Sequence, residues 1–369
     1  MEITDIKCYV LEEPHPLPHF RWREGLPGSG DGTPHDELVR TAVLRMDTDE
    51  GITGWWHEGR RGDMVADLVR RRFKPLIGQN PLLTEELWRM VWEIDRVEEI
   101  HMGFLGLVDL LAWDIKSKKA GMPVYQLLGG IDPKVPAYAS TVTWDTMGEY
   151  ERYIKDCMNE GFFAFKLHAW GDPKMDAELS ANLRKWTGPD ADLMFDASAG
   201  WDLITSLEFG RALQDQGFLW YEEPMREFDL VSYAKLCADL SIPVLAAETP
   251  DGCHWNAATW IEMRALDMMR TSTHYKGGLT GGVKVAHLAE SFGMRAEVHG
   301  GGYGNGHLCA AIPNNTYYEQ LVYDGDHIRG LRTQEHLPII DGYVTIPDTP
   351  GLGYEPDAKW LEKNAVAIV

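Results

Sequence analysis

Three acidic residues at equal spacing constrain the fold of this chain more than any other feature. Asp196, Glu222 and Glu248 lie 26 residues apart in sequence, and each closes a short apolar run of strand character. The segments between them, residues 204–216 and 230–240, are amphipathic and long enough to cross back and begin the next strand parallel to the last. Because parallel neighbouring strands end on one face of a sheet, the sequence predicts that the three carboxylates converge.

Three carboxylates this close together repel one another strongly unless a hard cation lies between them. The simpler explanation is that each acid caps the helix that follows its strand. That explanation would suffice for a single acid, but it does not account for three acids in phase. The spacing therefore favours a metal site built from Asp196, Glu222 and Glu248.

The same repeat continues over most of the chain. From Val135 onward, short apolar runs alternate with helical patterns, and eight such runs end at Thr141, Ala169, Ser198, Pro224, Glu248, Ser272, His299 and about Val322. Eight βα units are what a closed (β/α)8 barrel of the TIM type requires, and the active site of such a barrel lies at the carboxyl ends of its strands. An open doubly wound sheet is the alternative, but no glycine-rich phosphate turn follows the first strand.

The first part of the chain has a different pattern. Alternating runs predict an antiparallel meander followed by three helices, with strands at Ile3–Glu12, Leu38–Met46 and Thr53–Trp56 and helices at Asp63–Leu76, Thr84–Val97 and Gly103–Lys119. A sheet followed by helices is typical of an α+β domain. We expect an α+β domain over residues 1–130, a barrel over 131–325, and a C-terminal segment, 326–369, that returns to complete the first domain.

A long loop, residues 15–36, lies between the first two predicted strands. A structureless loop of this length in a compact domain is usually either a lid or disordered. It carries two side chains, His19 and Arg21, that we predict to contact a hydroxyl or a distal carboxylate of a small-molecule substrate.

Composition excludes several classes of partner. The formal net charge is −22, whereas nucleic acid and anionic membranes require clustered Lys and Arg. No run of about 18 apolar residues is present, and the chain opens on an alternating strand pattern, so neither a membrane span nor a signal peptide is expected. The five cysteines are odd in number and scattered, which indicates buried thiols in a reducing cytoplasm.

Further polar residues are predicted on the face that carries the acids. Barrel strand two ends Phe-Lys-Leu-His, and the alternation of side chains directs Lys166 and His168 the same way, into the barrel mouth. A buried lysine needs negative charge nearby, which the carboxylates supply. His299 ends strand seven and Glu319 stands at the end of strand eight. Taken alone, His299 is equally well explained as a hydrogen-bonded core histidine.

Together these residues resemble the enolase superfamily, and in particular its mandelate racemase subgroup (the mandelate racemase/muconate lactonizing enzyme family). The resemblance covers the whole chain. It is carried by Ala112–Lys116 leading to Leu127–Gly130, Lys166-Leu167-His168, Asp196, Glu222-Glu223-Pro224, Glu248, Gly277-Gly278, His299 and the closing Ile346–Gly353.

This resemblance implies an α+β capping domain over a modified (β/α)8 barrel, with one Mg2+ per subunit bound by Asp196, Glu222 and Glu248. It also implies abstraction of a proton next to a carboxylate, giving an enediolate that the metal and hydrogen-bond donors stabilise. In such a site Lys166 would hold the substrate carboxylate. Glu319, protonated in that setting, would hydrogen-bond the other carboxylate oxygen.

Two departures from the family pattern decide the predicted roles of the histidines. Many relatives have a second lysine where this chain has His168, and many pair the strand-seven histidine with an aspartate where this chain has Ser272. Asp267 lies at the beginning of that strand, far from the mouth. His299 is therefore expected to lack the carboxylate that would raise its basicity, so His168 is assigned as the base and His299 as a donor. Tyr275 stands where relatives often have a cation.

A dehydratase needs His299 only as an acid that protonates the departing hydroxyl, whereas a racemase needs a competent base on each face of the carbon. The missing aspartate therefore favours dehydration. We therefore predict a Mg2+-dependent sugar-acid (aldonate or aldarate) dehydratase, a carbon–oxygen lyase. A hydroxy-acid racemase or epimerase and a lactone cycloisomerase are alternatives within this chemistry, and a non-catalytic ligand-binding barrel is the alternative outside it. Exposed aromatic residues, among them Trp88, Trp92 and Trp260, further predict a homo-oligomer.

Overall fold

The first three strands form the antiparallel meander that the sequence predicts. In the computed structural model, which describes residues 1–14, 38–59, 61–130, 132–323, 328 and 337–369, they are β1 (Ile3–Pro14), β2 (Leu38–Thr48) and β3 (Thr53–Glu58). β1 pairs with β2, and β2 pairs with β3, in antiparallel register. The predicted loop with His19 and Arg21 lies outside the described residues.

Helices follow the meander at α1 (Gly62–Leu68), α2 (Thr84–Glu98), α3 (Met102–Leu105), α4 (Leu107–Ala120) and α5 (Val124–Leu127). The single helix predicted over Gly103–Lys119 is thus divided at Gly106. A Cβ atom at Gly106 would lie 2.3 Å from the backbone of Gly277, and one at Gly103 would lie 2.0 Å from the carbonyl oxygen of His274. These two glycines therefore let α3 and α4 touch the loop after barrel strand six.

The predicted helix Asp63–Leu76 also differs in detail. The α-helical part ends at Leu68, and the chain continues as a π-helical turn over Val69–Phe73 and a 3-10 turn over Lys74–Leu76. Pro75 lies in that last turn, where a residue without a backbone N–H cannot continue the hydrogen bonding of an α-helix.

Eight parallel strands form the barrel, as the sequence predicts. They are β4 (Lys134–Thr141), β5 (Ala164–His168), β6 (Asp192–Asp196), β7 (Trp220–Glu222), β8 (Val244–Ala246), β9 (Met268–Thr271), β10 (Ala296–Val298) and β11 (Tyr318–Val322). Each pairs with the next from β4 to β10, and β11 pairs with β4. Among the described residues no ladder joins β10 to β11; there the side chain of Glu297 accepts hydrogen bonds from the N–H groups of Thr316 and Tyr317 at 3.1 and 3.4 Å.

Helices alternate with the barrel strands at α6 (Met147–Asn159), α7 (Pro173–Thr187), α8 (Leu203–Asp215), α9 (Leu230–Asp239), α10 (Cys253–Glu262), α11 (Gly278–Glu290) and α12 (Tyr303–Ala311). The caps of α7, α8 and α9 are Asp172, Asp202 and Asp229, whose side chains accept hydrogen bonds from the first backbone N–H groups. Because Asp202 and Asp229 cap the helices after Asp196 and Glu222, and α10 after Glu248 begins behind Gly252 without a side-chain cap, helix capping does not explain the strand-end acids.

The C-terminal segment contacts both sheets. β12 (Ile339–Ile340) and β13 (Tyr343–Thr345) form a hairpin that extends the barrel sheet along β4. After α13 (Ala358–Asn364), the last strand, β14 (Ala367–Ile368), pairs with β1 in the meander. The domain boundaries after residues 130 and 325 stay a prediction.

Asp114, within the Ala112–Lys116 motif, connects three segments of the chain. Its carboxylate accepts hydrogen bonds from the N–H groups of Trp55 at 2.9 Å and Leu352 at 2.7 Å, and it pairs with Lys118 at 2.7 Å. This motif therefore has a structural role that joins the meander, α4 and the closing segment.

Burial changes the argument for an oligomer. Trp88 and Trp260 are only 4% and 1% exposed within the single chain, so the expectation that they are surface residues is wrong. The partly buried Trp92 packs on Trp255, which is 47% exposed. The homo-oligomer stays a prediction.

The five cysteines are free, and no helix in the described ranges has the length and apolar character that a membrane crossing requires.

Candidate active site

The barrel register brings the predicted acids together. His168 on β5 pairs with Asp196 on β6, and Asp196 pairs with Glu222 on β7, so the ends of three strands lie side by side. Glu248 lies two residues beyond the end of β8. Four non-glycine residues next to or near these acids have left-handed φ angles, namely Ser198 (49°), Ala199 (59°), Glu223 (42°) and Ala247 (69°). Backbone strain of this kind is concentrated at functional sites, where the surrounding structure holds it in place.

Lys166 lies at the centre of the carboxylates. Its Nζ atom is 2.8 Å from Glu319 Oε1, 3.1 Å from Glu222 Oε2 and 3.7 Å from Asp196 Oδ2, and its side chain is fully buried. Burial alone would lower the pKa of Lys166, but the attraction of Glu222 and Glu319 raises it well above its usual value. Lys166 is thus a permanent cation in this arrangement.

A second buried cation, Arg270 on β9, was not identified from the sequence. Its Nε donates to Glu222 Oε1 at 2.7 Å, its Nη1 donates to the carbonyl oxygen of Val298 at 3.0 Å, and its Nη2 donates to the hydroxyl of Tyr138 at 3.0 Å. Nη2 also lies 3.4 Å from Glu319 Oε2. The signal was present, because a lone charge in the apolar run Met-Met-Arg-Thr needs a carboxylate for the same reason as Lys166 does.

His168 faces two oxygen atoms that can only accept hydrogen bonds. Its Nδ1 lies 2.5 Å from the carbonyl oxygen of Thr141, and its Nε2 lies 3.2 Å from Asp196 Oδ2. Since a carbonyl oxygen cannot donate, Nδ1 carries a proton. The backbone of β4 therefore fixes the ring orientation of His168.

His299 has carboxylate neighbours, so the expectation that it lacks one is wrong. Its Nδ1 lies 2.8 Å from Glu248 Oε2 and 3.6 Å from Glu319 Oε2. Burial lowers the pKa of His299, but the two carboxylates outweigh burial and the pKa is raised. The side chain at the position of the missing aspartate, Ser272, instead accepts a hydrogen bond from the N–H of Tyr275 at 3.0 Å.

The surroundings of Glu319 in this structure favour its carboxylate form, and its protonation next to a bound metal and substrate stays a prediction. Burial would raise its pKa, but Lys166, Arg270 and His299 lower it well below its usual value. The N–H of Gly300 also donates to Glu319 Oε2 at 2.8 Å, which favours the charged form.

Lys276, next to the paired glycines, holds the turn that carries Glu248. Its Nζ donates to the carbonyl oxygens of Ala247 at 2.8 Å and Pro250 at 3.2 Å, and the side chain is buried. Burial lowers its pKa. Asp267, directly before β9, accepts a hydrogen bond from the N–H of Val244 at the start of β8. It therefore lies at the far end of the strands from the site, as predicted.

The donor set suits a hard divalent cation. Glu222, Glu248 and His299 each offer a ligand atom, and these atoms lie within 4.8 Å of one another. Asp196 is not part of that group. Its Oδ1 accepts from the N–H of Ser198, its Oδ2 faces His168, and it shares the neighbour Lys166 with Glu222. Among the described residues that form this site, four carboxylates face two permanent cations, Lys166 and Arg270, so a divalent ion would offset the excess of negative charge. Carboxylate oxygens of this kind fit Mg2+.

The fold and the site define a barrel enzyme with a carboxylate-rich centre at the strand ends. Residues 149–360 match the family described as enolase C-terminal domain-like, and residues 32–129 match the mandelate racemase/muconate lactonizing enzyme N-terminal domain. The chain belongs to the enolase superfamily, in its mandelate racemase/muconate lactonizing enzyme family.

Relatives of known activity cover almost the whole chain. The arabinonate dehydratase of Saccharolobus solfataricus is 29% identical over 86% of this chain and 88% of its own. The D-galactarolactone cycloisomerase of Agrobacterium fabrum is 28% identical over 96% of each chain. The crystal structure of D-glucarate dehydratase from Agrobacterium tumefaciens complexed with magnesium has a TM-score of 0.88 and 32% identity, over 100% of both chains. These similarities confirm the predicted family and barrel fold.

Proposed function

We propose that the chain is a Mg2+-dependent dehydratase of sugar acids. The observation that carries this proposal is the placement of two histidines around one buried lysine: His168 on β5 and His299 after β10, with Lys166 held among the carboxylates. Proton abstraction followed by loss of a hydroxyl requires one base, one acid and one cation that binds the substrate carboxylate. The arabinonate and D-glucarate dehydratases among the relatives support the same class of reaction.

Each residue has a role that follows from its contacts. Mg2+ bound by Asp196, Glu222 and Glu248 would supply positive charge to the substrate carboxylate while the α-proton leaves. Lys166 would bind the same carboxylate, since its ammonium already pairs with carboxylate oxygens of Glu222 at 3.1 Å and Glu319 at 2.8 Å. His168 would take the α-proton at Nε2, because Nδ1 is held by the backbone carbonyl of Thr141.

His299 would complete the reaction as the acid. Its Nδ1 faces Glu248, and the raised pKa keeps a proton available on the ring. The bond between the β-carbon and its hydroxyl oxygen breaks, the departing oxygen takes that proton, and the products are water and an enol. The enol then becomes a 2-keto-3-deoxy acid.

An epimerase is the second candidate, and one contact favours it. The replacement of the family's aspartate by Ser272 predicted that His299 is a weak base. Glu248 and Glu319 raise the pKa of His299, so it is a better base than that replacement implied. A base on each face of the carbon would serve racemisation or epimerisation. The D-galactarolactone cycloisomerase of Agrobacterium fabrum, at 28% identity, supports a lactone cycloisomerase as a further alternative.

Product analysis tests the proposal. The protein would be incubated in D2O with Mg2+ and a panel of aldonates and aldarates, and the mixtures followed by NMR and by a chemical assay for 2-keto acids. Formation of a 2-keto-3-deoxy acid, abolished by exhaustive chelation, is the expected result. Deuterium at the α-carbon without loss of a hydroxyl would assign the epimerase instead, and neither change with any member of the panel would overturn the proposal.

A further inference from the structure

Every lone pair of Glu222 is used by a donor in this structure. Oε1 accepts from Arg270 through Nε at 2.7 Å and lies 2.5 Å from Nη2, while Oε2 accepts from Lys166 Nζ and from Trp220 Nε1, both at 3.1 Å. A carboxylate has about four acceptor sites, so none remains for a cation unless a donor leaves. Three hydrogen bonds and one close ionic contact, from Arg270, Lys166 and Trp220, therefore surround this carboxylate.

The two donors that carry charge are not equally free to leave. Arg270 is anchored at three further points, by the carbonyl oxygen of Val298, the hydroxyl of Tyr138 and the carboxylate of Glu319. Its guanidinium is planar and fully buried, so it cannot turn away from Oε1 without breaking these contacts. Lys166, in contrast, has a second carboxylate 2.8 Å away in Glu319.

We propose that Arg270 is a positioning residue that keeps Oε1 of Glu222 occupied, so that this ligand offers a single oxygen, Oε2, to a metal ion in exchange for Lys166. The proposal rests on the proposed function, because it takes Glu222 to be a Mg2+ ligand. The exchange links two events: when Oε2 is given to the cation, the ammonium of Lys166 becomes available for the substrate carboxylate.

Arg270 could act only as a nearby positive charge or as a residue that positions Glu222, and these two roles predict opposite effects of its removal on Mg2+ affinity. If Arg270 were only a nearby positive charge, its removal would tighten Mg2+ binding, because the two cations repel each other. If it orients Glu222, its removal leaves Lys166 free to take both oxygens of the carboxylate, and Mg2+ binding weakens. Loss of a residue that orients a metal ligand typically weakens affinity by about 10- to 100-fold.

The experiment compares two variants of the full chain, Arg270→Met and Arg270→Lys, by calorimetric titration with Mg2+ alone. Arg270→Lys keeps the charge and loses the planar fork. We expect both variants to bind Mg2+ about tenfold or more weakly than the wild type. Thermal unfolding of each variant, followed by circular dichroism, shows that the protein titrated is folded.

Arg184→Met is the matched control. Arg184 also anchors backbone carbonyl oxygens, those of Gln216, Ala191 and Gly217 at 2.8–3.0 Å, but these lie before the amino ends of β6 and β7 and away from the carboxylates. We expect this variant to lose stability and to keep the wild-type affinity for Mg2+.

The outcomes separate cleanly. Tighter binding by Arg270→Met together with wild-type binding by Arg270→Lys would overturn positioning and leave Arg270 as a charge only. Should Arg270→Met fail to fold, weaker binding by a folded Arg270→Lys supports the proposal, and unchanged binding overturns it. A wild-type protein that binds no Mg2+ overturns both this inference and the metal site, whereas one that binds Mg2+ without forming a keto acid removes only the dehydratase assignment, and the variants still decide the role of Arg270.

Discussion

Nδ1 of His299 lies 2.8 Å from Oε2 of Glu248, so the strand-seven histidine shares a carboxylate with the proposed metal site. Many relatives have an aspartate at the position of Ser272. In this chain Glu248 supplies negative charge to the ring instead. Glu248 reaches His299 from the turn after β8, where Ala247 has a φ of 69°. The contact favours a protonated His299, which is the form that an acid needs.

The two histidines are predicted to fail at different steps. His168→Asn should abolish both deuterium exchange at the α-carbon and formation of product, because no proton is removed. His299→Asn should reduce dehydration by a factor on the order of 10² to 10⁴, the usual contribution of a positioned acid, while α-exchange remains detectable by NMR. Exchange that is lost with His299 and kept with His168 would reverse the roles and favour the epimerase.

The acids of the metal site are predicted to differ in their effect on stability. Glu248→Gln should abolish Mg2+ binding and turnover with little change in thermal stability, since its side chain is 13% exposed and its closest charged neighbour is a histidine. Glu222→Gln should also abolish both, and it should lower the free energy of unfolding by about 3–5 kcal/mol, because it removes one of the two buried carboxylates, Glu222 and Glu319, that neutralise Lys166 and Arg270. Calorimetric titration and thermal unfolding in the presence of a chelator measure the two effects. Full activity after exhaustive chelation would refute the metal site.

Lys276 is predicted to act through the turn that carries Glu248. Lys276→Met removes the donor that joins the carbonyl oxygens of Ala247 and Pro250, so the turn should become less ordered and Mg2+ affinity should fall by about tenfold. Lys284→Met is the control, because that lysine pairs with Glu85 at the surface, with Nζ 2.8 Å from its carboxylate. Equal Mg2+ affinity in both variants would show that Lys276 does not position Glu248.

Asp109 is predicted to make stability depend on pH. Asp109 lies on α4, and its fully buried carboxylate accepts hydrogen bonds from the N–H and hydroxyl of Thr280 at the start of α11. Burial raises its pKa from 3.8 to about 7. Because the unfolded chain ionises first, this group costs stability as pH rises from about 4 to 7. Asp109→Asn does not titrate, so its stability relative to the wild type should increase by about 3 kcal/mol between pH 5 and pH 8, at about 1.4 kcal/mol per pKa unit.

Urea unfolding at the two pH values measures this difference. Asp156→Asn, at an exposed position on α6, is the control and should show no comparable change. A relative stability of Asp109→Asn that is the same at pH 5 and pH 8 would mean that the buried carboxyl does not titrate as its surroundings indicate.

The sequence by itself determined the architecture and the convergence of the acids. Apolar alternation identified the eight barrel strands, and the equal spacing of Asp196, Glu222 and Glu248 placed three carboxylates on one face. Both conclusions depend on local periodicity and on the rule that parallel strands end together, which need no knowledge of side-chain packing. The same periodicity correctly directed Lys166 and His168 toward Asp196.

Only the tertiary structure decided which charges meet inside that ring of strand ends. Arg270 and Glu222 are 48 residues apart in sequence, and their contact depends on how two non-adjacent strands face each other across the barrel. His299 obtained Glu248 as its partner for a similar reason, and Trp88 and Trp260 proved to be buried by packing between helices. Side-chain contacts across a closed barrel are set by its three-dimensional geometry, so spacing along the chain predicted that the three acids, Lys166 and His168 reach the site but not how they and Arg270 pair.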